Sequence, residues 1–257
     1  MPLATGEVLE AARGVIWALP RIGAMLLAVP IFGSQTMPTT IRSLVTLTLA
    51  VFVASFTPTT AELDPLSVVG LVTVVHEVLV GIAMGFALQL VMSAFAQAGE
   101  SIALAMGLGF ASMVDPQNGL RVPVISQYYV IIITLLFLTF DAHLIALEVL
   151  VDSFRTLPVG AGLAPEAAMR IAQWGSHMFL GAVIISLPIV ASQLMIYLAL
   201  GVITRAAPQL NIFAVGFPML ILAGFIMMWL TLPGIPGLFE GLLEDGVALM
   251  RDTVRGN

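Results

Sequence analysis

The sequence predicts an all-α, membrane-associated protein of about six kinked apolar helical segments. Three observations carry that prediction. First, 60% of the 257 residues are hydrophobic and 9% are charged, against roughly 45–50% apolar and about 25% charged in soluble domains. Second, the apolar residues form stretches of the length, about 20 residues, that a bilayer crossing needs. Third, polar residues inside those stretches recur at helical spacings. A water-facing surface needs roughly a quarter to a third of its residues charged. A soluble enzyme or nucleic-acid binder is thereby excluded as the class.

The segments follow in order. Glu7 and Glu10 precede Arg13, and no small-residue cleavage site closes a clean apolar core, so the N-terminus is not expected to be a cleaved signal. Segment one, 14–32, contains Pro20, Arg21 and Pro30, which predicts a kink or break. Segment two, 43–61, has no charge and ends at the turn-like Thr57-Pro58-Thr59-Thr60. Segment three, 68–99, is interrupted only by His76 and Glu77. Segment four is 122–140, segment five 171–204 and segment six 206–239. The last two are long charge-free runs on either side of Arg205, each with an internal proline, Pro188 or Pro218. Discontinuous helices are the expectation there, because irregular backbone at membrane depth needs protein or a wet cavity to satisfy it. The stretch 141–170 reads as a connecting loop with short helical pieces, and 240–257 as an exposed helix end.

Fifteen acids face nine bases, all of them arginine, so no basic footprint for nucleic acid exists. With no cysteine, disulfides, thiolate catalysis and cysteine-based metal sites are absent. For six spans, Arg13, Arg155, Arg170, Arg251 and Arg255 fall on one side and Arg42, Arg121 and Arg205 on the other, which weakly favours cytoplasmic termini.

Gln89, Ser93, Gln97 and Glu100 share one face of a segment-three helix. Ser186, Gln193, Tyr197 and Thr204 do the same in segment five. Such stripes either bond to neighbouring helices or line a wet path. Gly81 and Gly85 form a G-x-x-x-G pair that permits close backbone approach. Glu77 and Glu100 are the candidate buried acids. An ionised acid at mid-bilayer costs at least about 2.5–3.5 kcal/mol, so each requires a partner, a proton or water. His76 lies about 100° from Glu77 around a helix and is no matched base for a proton relay; interhelical or helix-end pairing is the reading taken.

Catalytic signatures are missing: there is no phosphate-binding G-x-x-x-x-G-K-[ST], no H-E-x-x-H and no G-x-S-x-G. Asp141 and His143 form a close acid–histidine pair in a connecting stretch, too few ligands for a metal. No enzyme activity, cofactor or metal is expected. Between segments three and four, residues 105–121 are too apolar for a solvated loop and too rich in Gly107, Gly109, Pro116 and Gly119 for a stable helix. Asp115-Pro116 and Asn118-Gly119 signal turns. With Met106, Phe110 and Met113, the loop is either buried filler or a constriction that closes a channel by excluding water.

Particular runs carry a resemblance. His76-Glu77-Val-Leu-Val-Gly81-Ile-Ala-Met-Gly85-Phe86, Ala98-Gly99-Glu100 and Phe110-Ala111-x-x-x-Asp115-Pro116 resemble the FliR family of flagellar type III export-gate proteins. The run Ala207-Pro208-Gln209-Leu210-Asn211-Ile212-Phe213-Ala-Val215-Gly216-Phe217-Pro218 is the most specific part. Asp141-Ala142-His143 departs from the pattern, where a glycine would precede the histidine.

The resemblance implies a FliP-like portion at 1–170, with an inner plug loop at 105–121. A FliQ-like helical hairpin at 171–239 and an exposed tail at 240–257 complete the chain. The hairpin turn would involve Pro208, Gln209, Asn211, Gly216 and Pro218. The implied partners are FliP-like and FliQ-like gate subunits, an FlhB-like protein, unfolded export substrates and the lipid membrane, in a helical hetero-oligomer. The implied place is the bacterial inner membrane, at the flagellar basal body. The plug/gate residues would be Met106, Gly107, Gly109, Phe110, Met113, Asp115, Pro116 and Gly119. Packing or polar-stripe roles would fall to Glu77, Gly81, Gly85, Gln89, Ser93, Gln97, Glu100, Gln193 and Tyr197. Two alternatives stand beside this: the equivalent gate subunit of a virulence injectisome, and a proton-coupled secondary transporter using Glu77 or Glu100.

Overall fold

The computed structural model describes residues 2–33, 37–56, 67–109, 124–207 and 212–255. Among them the regular structure is helical: α1 (Pro2–Ala28), α2 (Thr39–Ala54), α3 (Val68–Ala105), α4 (Val124–Thr139), α5 (Ala142–Thr156), α6 (Pro165–Ala206), α7 (Ile212–Thr231) and α8 (Ile235–Val254). A 3₁₀ turn, Leu232–Gly234, joins the last two. The all-α membrane class is therefore the architecture observed.

Among the described residues three helices are long and apolar enough to cross a membrane: Val68–Ala105, Pro165–Ala206 and Val215–Val254, the last running through the 3₁₀ turn. Helices α4 and α5, bent by 64°, make a fourth if taken as one broken span. The bend falls at Asp141, whose φ of 53° is left-handed. Aspartate tolerates that region better than most residues because its short polar side chain bonds locally.

Several local expectations change. Pro20 lies inside α1 without ending it, and Pro188 lies inside an unbroken 42-residue α6. A proline removes one ladder hydrogen bond; buried neighbours on either side, Trp17 and Ile22 in α1 and Ile185 and Ile189 in α6, hold the helix together across it. The break comes instead in segment six, where Pro233 starts the 3₁₀ turn. The connection 141–170, expected to hold only short helical pieces, contains α5, a 15-residue helix whose Ala142, Ala146, Val149, Leu150, Ser153 and Phe154 are buried. The C-terminal tail is also more than an exposed end: Leu243, Val247, Met250 and Val254 bury one face of α8.

The chain divides into two compact units. The first comprises Met1–Leu90, Asp141–Gly175 and Leu243–Asn257. There α1 packs on α2, with Gly23 beside Thr46 and the Arg42 Nε donating to the Phe32 carbonyl at 2.8 Å. Trp17, Ile22, Met25, Met84, Leu88, Leu150 and Phe154 are in its core. The second comprises Val91–Phe140 and Ser176–Leu242. The Phe239 ring lies 6.0 Å from that of Phe95 and 5.8 Å from that of Phe140. Gly99 lets α4 approach α3, since an added Cβ would come within 2.6 Å of the Ser126 Cα. The Ser126 hydroxyl closes that contact by donating to the Ala96 carbonyl at 2.8 Å.

Candidate functional site

The first unit is organised around Arg21. Its Nε donates to the Glu77 Oε2 at 2.7 Å, and both side chains are 0% exposed. Its Nη1 donates to the Ser153 carbonyl at 2.9 Å and the Ser153 Oγ at 3.1 Å, and its Nη2 to the Leu157 carbonyl at 3.0 Å. The Phe154 ring lies beneath the guanidinium, 4.4 Å from its central carbon. The second Glu77 oxygen accepts from the Gly160 backbone N–H at 3.2 Å. A guanidinium has five N–H donors in a rigid fork and no acceptor. Burying it without matching acceptors would cost several kcal/mol. Here a carboxylate, two carbonyls, a hydroxyl and a π-face receive it.

The sequence supports this arrangement locally. Gly160 and Gly162 take φ values of 91° and 74°, which the turn after α5 requires. An added Cβ on Gly162 would come within 3.3 Å of the His76 ring. Gly81 and Gly85 bring the α1 backbone against α3. A Cβ on Gly81 would strike the Arg21 carbonyl oxygen, and one on Gly85 would fall 2.8 Å from the Met25 carbonyl. Close helix approach of this kind is what small residues at i and i+4 allow.

Glu77 thus has a base: Arg21, from a different segment. Looking for the partner beside it, at His76, missed the pairing. The available signal was charge matching, since Arg21 is the basic residue lying inside an apolar segment and must itself be neutralised. Ser153, Leu157 and Gly160 carried no signal, because their acceptor and donor groups are generic.

In the second unit, Tyr197 donates its hydroxyl to the Ala105 carbonyl at 3.1 Å, at the end of α3. Met106 is buried, and a Cβ on Gly224 would come within 2.6 Å of its side chain. Gly107 has φ of 78°, with Phe217 3.0 Å from where a Cβ would stand. Gly109 is half-buried. Gln193 is fully buried and donates Nε2 to the Leu220 carbonyl at 3.1 Å, while its Oε1 has no partner among the described residues. Gln89, Ser93 and Gln97 are half-buried and Glu100 is exposed. Gly216 is buried and Pro218 exposed on α7. Phe110, Met113, Asp115, Pro116, Gly119, Pro208, Gln209 and Asn211 lie outside the described residues. Among the described residues no three metal-ligating side chains cluster.

Long apolar helices, an internally neutralised charge and glycine-mediated helix contacts define a polytopic α-helical membrane protein. Residues 13–246 match the model of bacterial export proteins, family 1, and the chain belongs to that family. It is 36% identical over 240 residues to the flagellar biosynthetic protein FliR of Pectobacterium carotovorum, covering 93% of this chain and 91% of that protein. The FliR of Escherichia coli is 35% identical, with the same coverage of both chains. That of Bacillus subtilis is 33% identical, covering 91% and 92%.

Proposed function

We propose that the chain is a non-enzymatic subunit of the flagellar type III protein export gate in the bacterial inner membrane, at the flagellar basal body. The observation that carries this reading is end-to-end similarity to proteins named FliR at 35–36% identity. The exposed apolar surface supports a place in a larger assembly. The apolar window of α3 is 67% buried within the chain, but those of the two other long helices are only 28% and 22% buried. Leu187, Leu194, Leu198, Leu222 and Trp229 all stand exposed. FliP-like and FliQ-like subunits, an FlhB-like protein and lipid are the surfaces that would cover them. Residues 1–170 would be the FliP-like portion and 171–239 the FliQ-like hairpin.

The mechanism is passive. The subunit forms part of a conduit for unfolded flagellar proteins, and the apolar loop at 105–121 closes that conduit at rest. A constriction lined by Met106, Phe110 and Met113 excludes water and so blocks ions. The left-handed Gly107, at the loop's start, supplies a hinge that residues with a Cβ rarely adopt.

The relatives' flagellar names favour this over an injectisome cargo. The Arg21 pairing argues against a proton-coupled transporter built on Glu77, since both Glu77 oxygens are engaged in tying α1, α3 and the turn after α5 together. Co-expression with FliP-like, FliQ-like and FlhB-like proteins is the test. The chain should co-elute with them and be less stable in detergent alone than in the complex. A stable monomer or small symmetric oligomer, with no co-elution, would overturn the proposal.

A further inference from the structure

A cavity of about 610 Å³ in the first unit is lined by α2, α5 and the C-terminal end of α8. Arg155 comes from the last turn of α5, Arg251 from the last turn of α8, and Arg255 follows it. One cation at a helix C-terminus complements the helix dipole. Three sharing one cavity go beyond that. Among the described residues none of the three guanidiniums has a hydrogen-bond or ion-pair partner.

Glu148 and Asp152 also line the cavity, without forming ion pairs to those arginines. Three guanidiniums against two carboxylates leave one positive charge. The apolar part of the wall is Leu49 and Phe52 of α2 with Leu147, Val149 and Val151 of α5. Next to it, Leu44, Leu47 and Val51 are exposed on α2. The wall thus changes from charged to apolar and continues into an uncovered apolar helix surface.

We propose that this cavity holds the headgroup of a monoanionic phospholipid of the phosphatidylglycerol type. The phosphodiester would sit among Arg155, Arg251 and Arg255, which donate to its oxygens. The headgroup glycerol hydroxyls would donate to Glu148 and Asp152. The acyl chains would run from Leu49 and Phe52 along α2. A single negative charge balances the wall, and basic pockets between membrane helices suit anionic headgroups. An acidic peptide would match the arginines but would leave the adjoining apolar surface of α2 uncovered.

Native mass spectrometry of the detergent-solubilised full chain tests the site with dioleoylphosphatidylglycerol and dioleoylphosphatidylcholine. The glycerol lipid should bind about tenfold more tightly or better. The R155Q/R251Q/R255Q variant should reduce it to the choline-lipid level, while R155K/R251K/R255K keeps most of the preference and controls for folding. Phe52→Ser should weaken the glycerol lipid with all arginines in place, and inorganic phosphate in excess should not displace it. Equal binding of the two lipids by the unaltered chain overturns the proposal. So does displacement by inorganic phosphate, which marks a free-anion site, or displacement by polyglutamate, which assigns the cavity to an acidic protein segment.

Discussion

Arg21 and Glu77 meet at 2.7 Å with neither side chain exposed, across 56 residues of sequence. Both stand in apolar helices, so each removes the cost of burying the other. Through Ser153, Leu157 and Gly160 the pair also fastens α5 and the turn after it. That makes it the point where α1, α3 and α5 are tied together.

Replacing one member alone should therefore be severe. Arg21→Ala or Glu77→Ala is expected to cost about 3–5 kcal/mol, because a buried charge is left without its counterion. Replacing both with apolar residues of similar volume, as in R21M/E77L, should recover a large part of that loss. Thermal unfolding in detergent would read the difference. Single variants as stable as the parent would show that the pair contributes nothing.

Some glycines press on another helix's backbone, some face side chains and some stand open. Gly81→Val should push α1 from α3 and destabilise the chain by about 1–3 kcal/mol, as overpacking does. Gly175, Gly201 and Gly241 have nothing within 4 Å of an added Cβ. Gly201→Leu should leave the isolated chain's stability unchanged within about 0.5 kcal/mol and weaken co-purification with FliP-like and FliQ-like subunits, if its face is the assembly surface. Intact co-purification would place that face toward lipid.

Gln193 tests how much a half-satisfied buried amide contributes. Its Nε2 is bonded and its Oε1 is not. Gln193→Leu removes one hydrogen bond of about 1 kcal/mol but also the unpaired carbonyl, so the net change should stay within about 1 kcal/mol. Gln193→Ala, which leaves a cavity, should cost more. Limited proteolysis across a temperature series would rank the two; the reverse order would mean that Oε1 is engaged in the native state.

Deleting residues 107–119 tests the plug. Ion leakage through reconstituted gate complexes should rise while the complex still assembles. Unchanged conductance with assembly intact would assign the loop to filler.

The helices themselves were largely legible, because helix formation and apolar periodicity are properties of neighbouring residues. Segments three and five map onto α3 and α6, and the G-x-x-x-G pair at Gly81 and Gly85 lies where α1 approaches α3. Proline was a poorer guide. Pro20 and Pro188 marked expected breaks that buried neighbours hold closed. The charges of 141–170, Asp152 and Arg155 among them, and its glycines suggest a connecting loop with only short helical pieces. Asp152 and Arg155 lie on the exposed face of α5, and the opposite face is apolar.

By itself, the sequence determined that this chain is α-helical, apolar and in need of lipid or partners to cover it. Those follow from composition and short-range spacing, which no tertiary contact can alter. Only the tertiary structure decided which buried acid is paired and with what. It brings an arginine of α1, a glutamate of α3 and the backbone of the 157–160 turn within hydrogen-bond distance of one another. Hydrogen bonds and ion pairs act over a few ångströms, and which residues come that close is a property of how the helices pack.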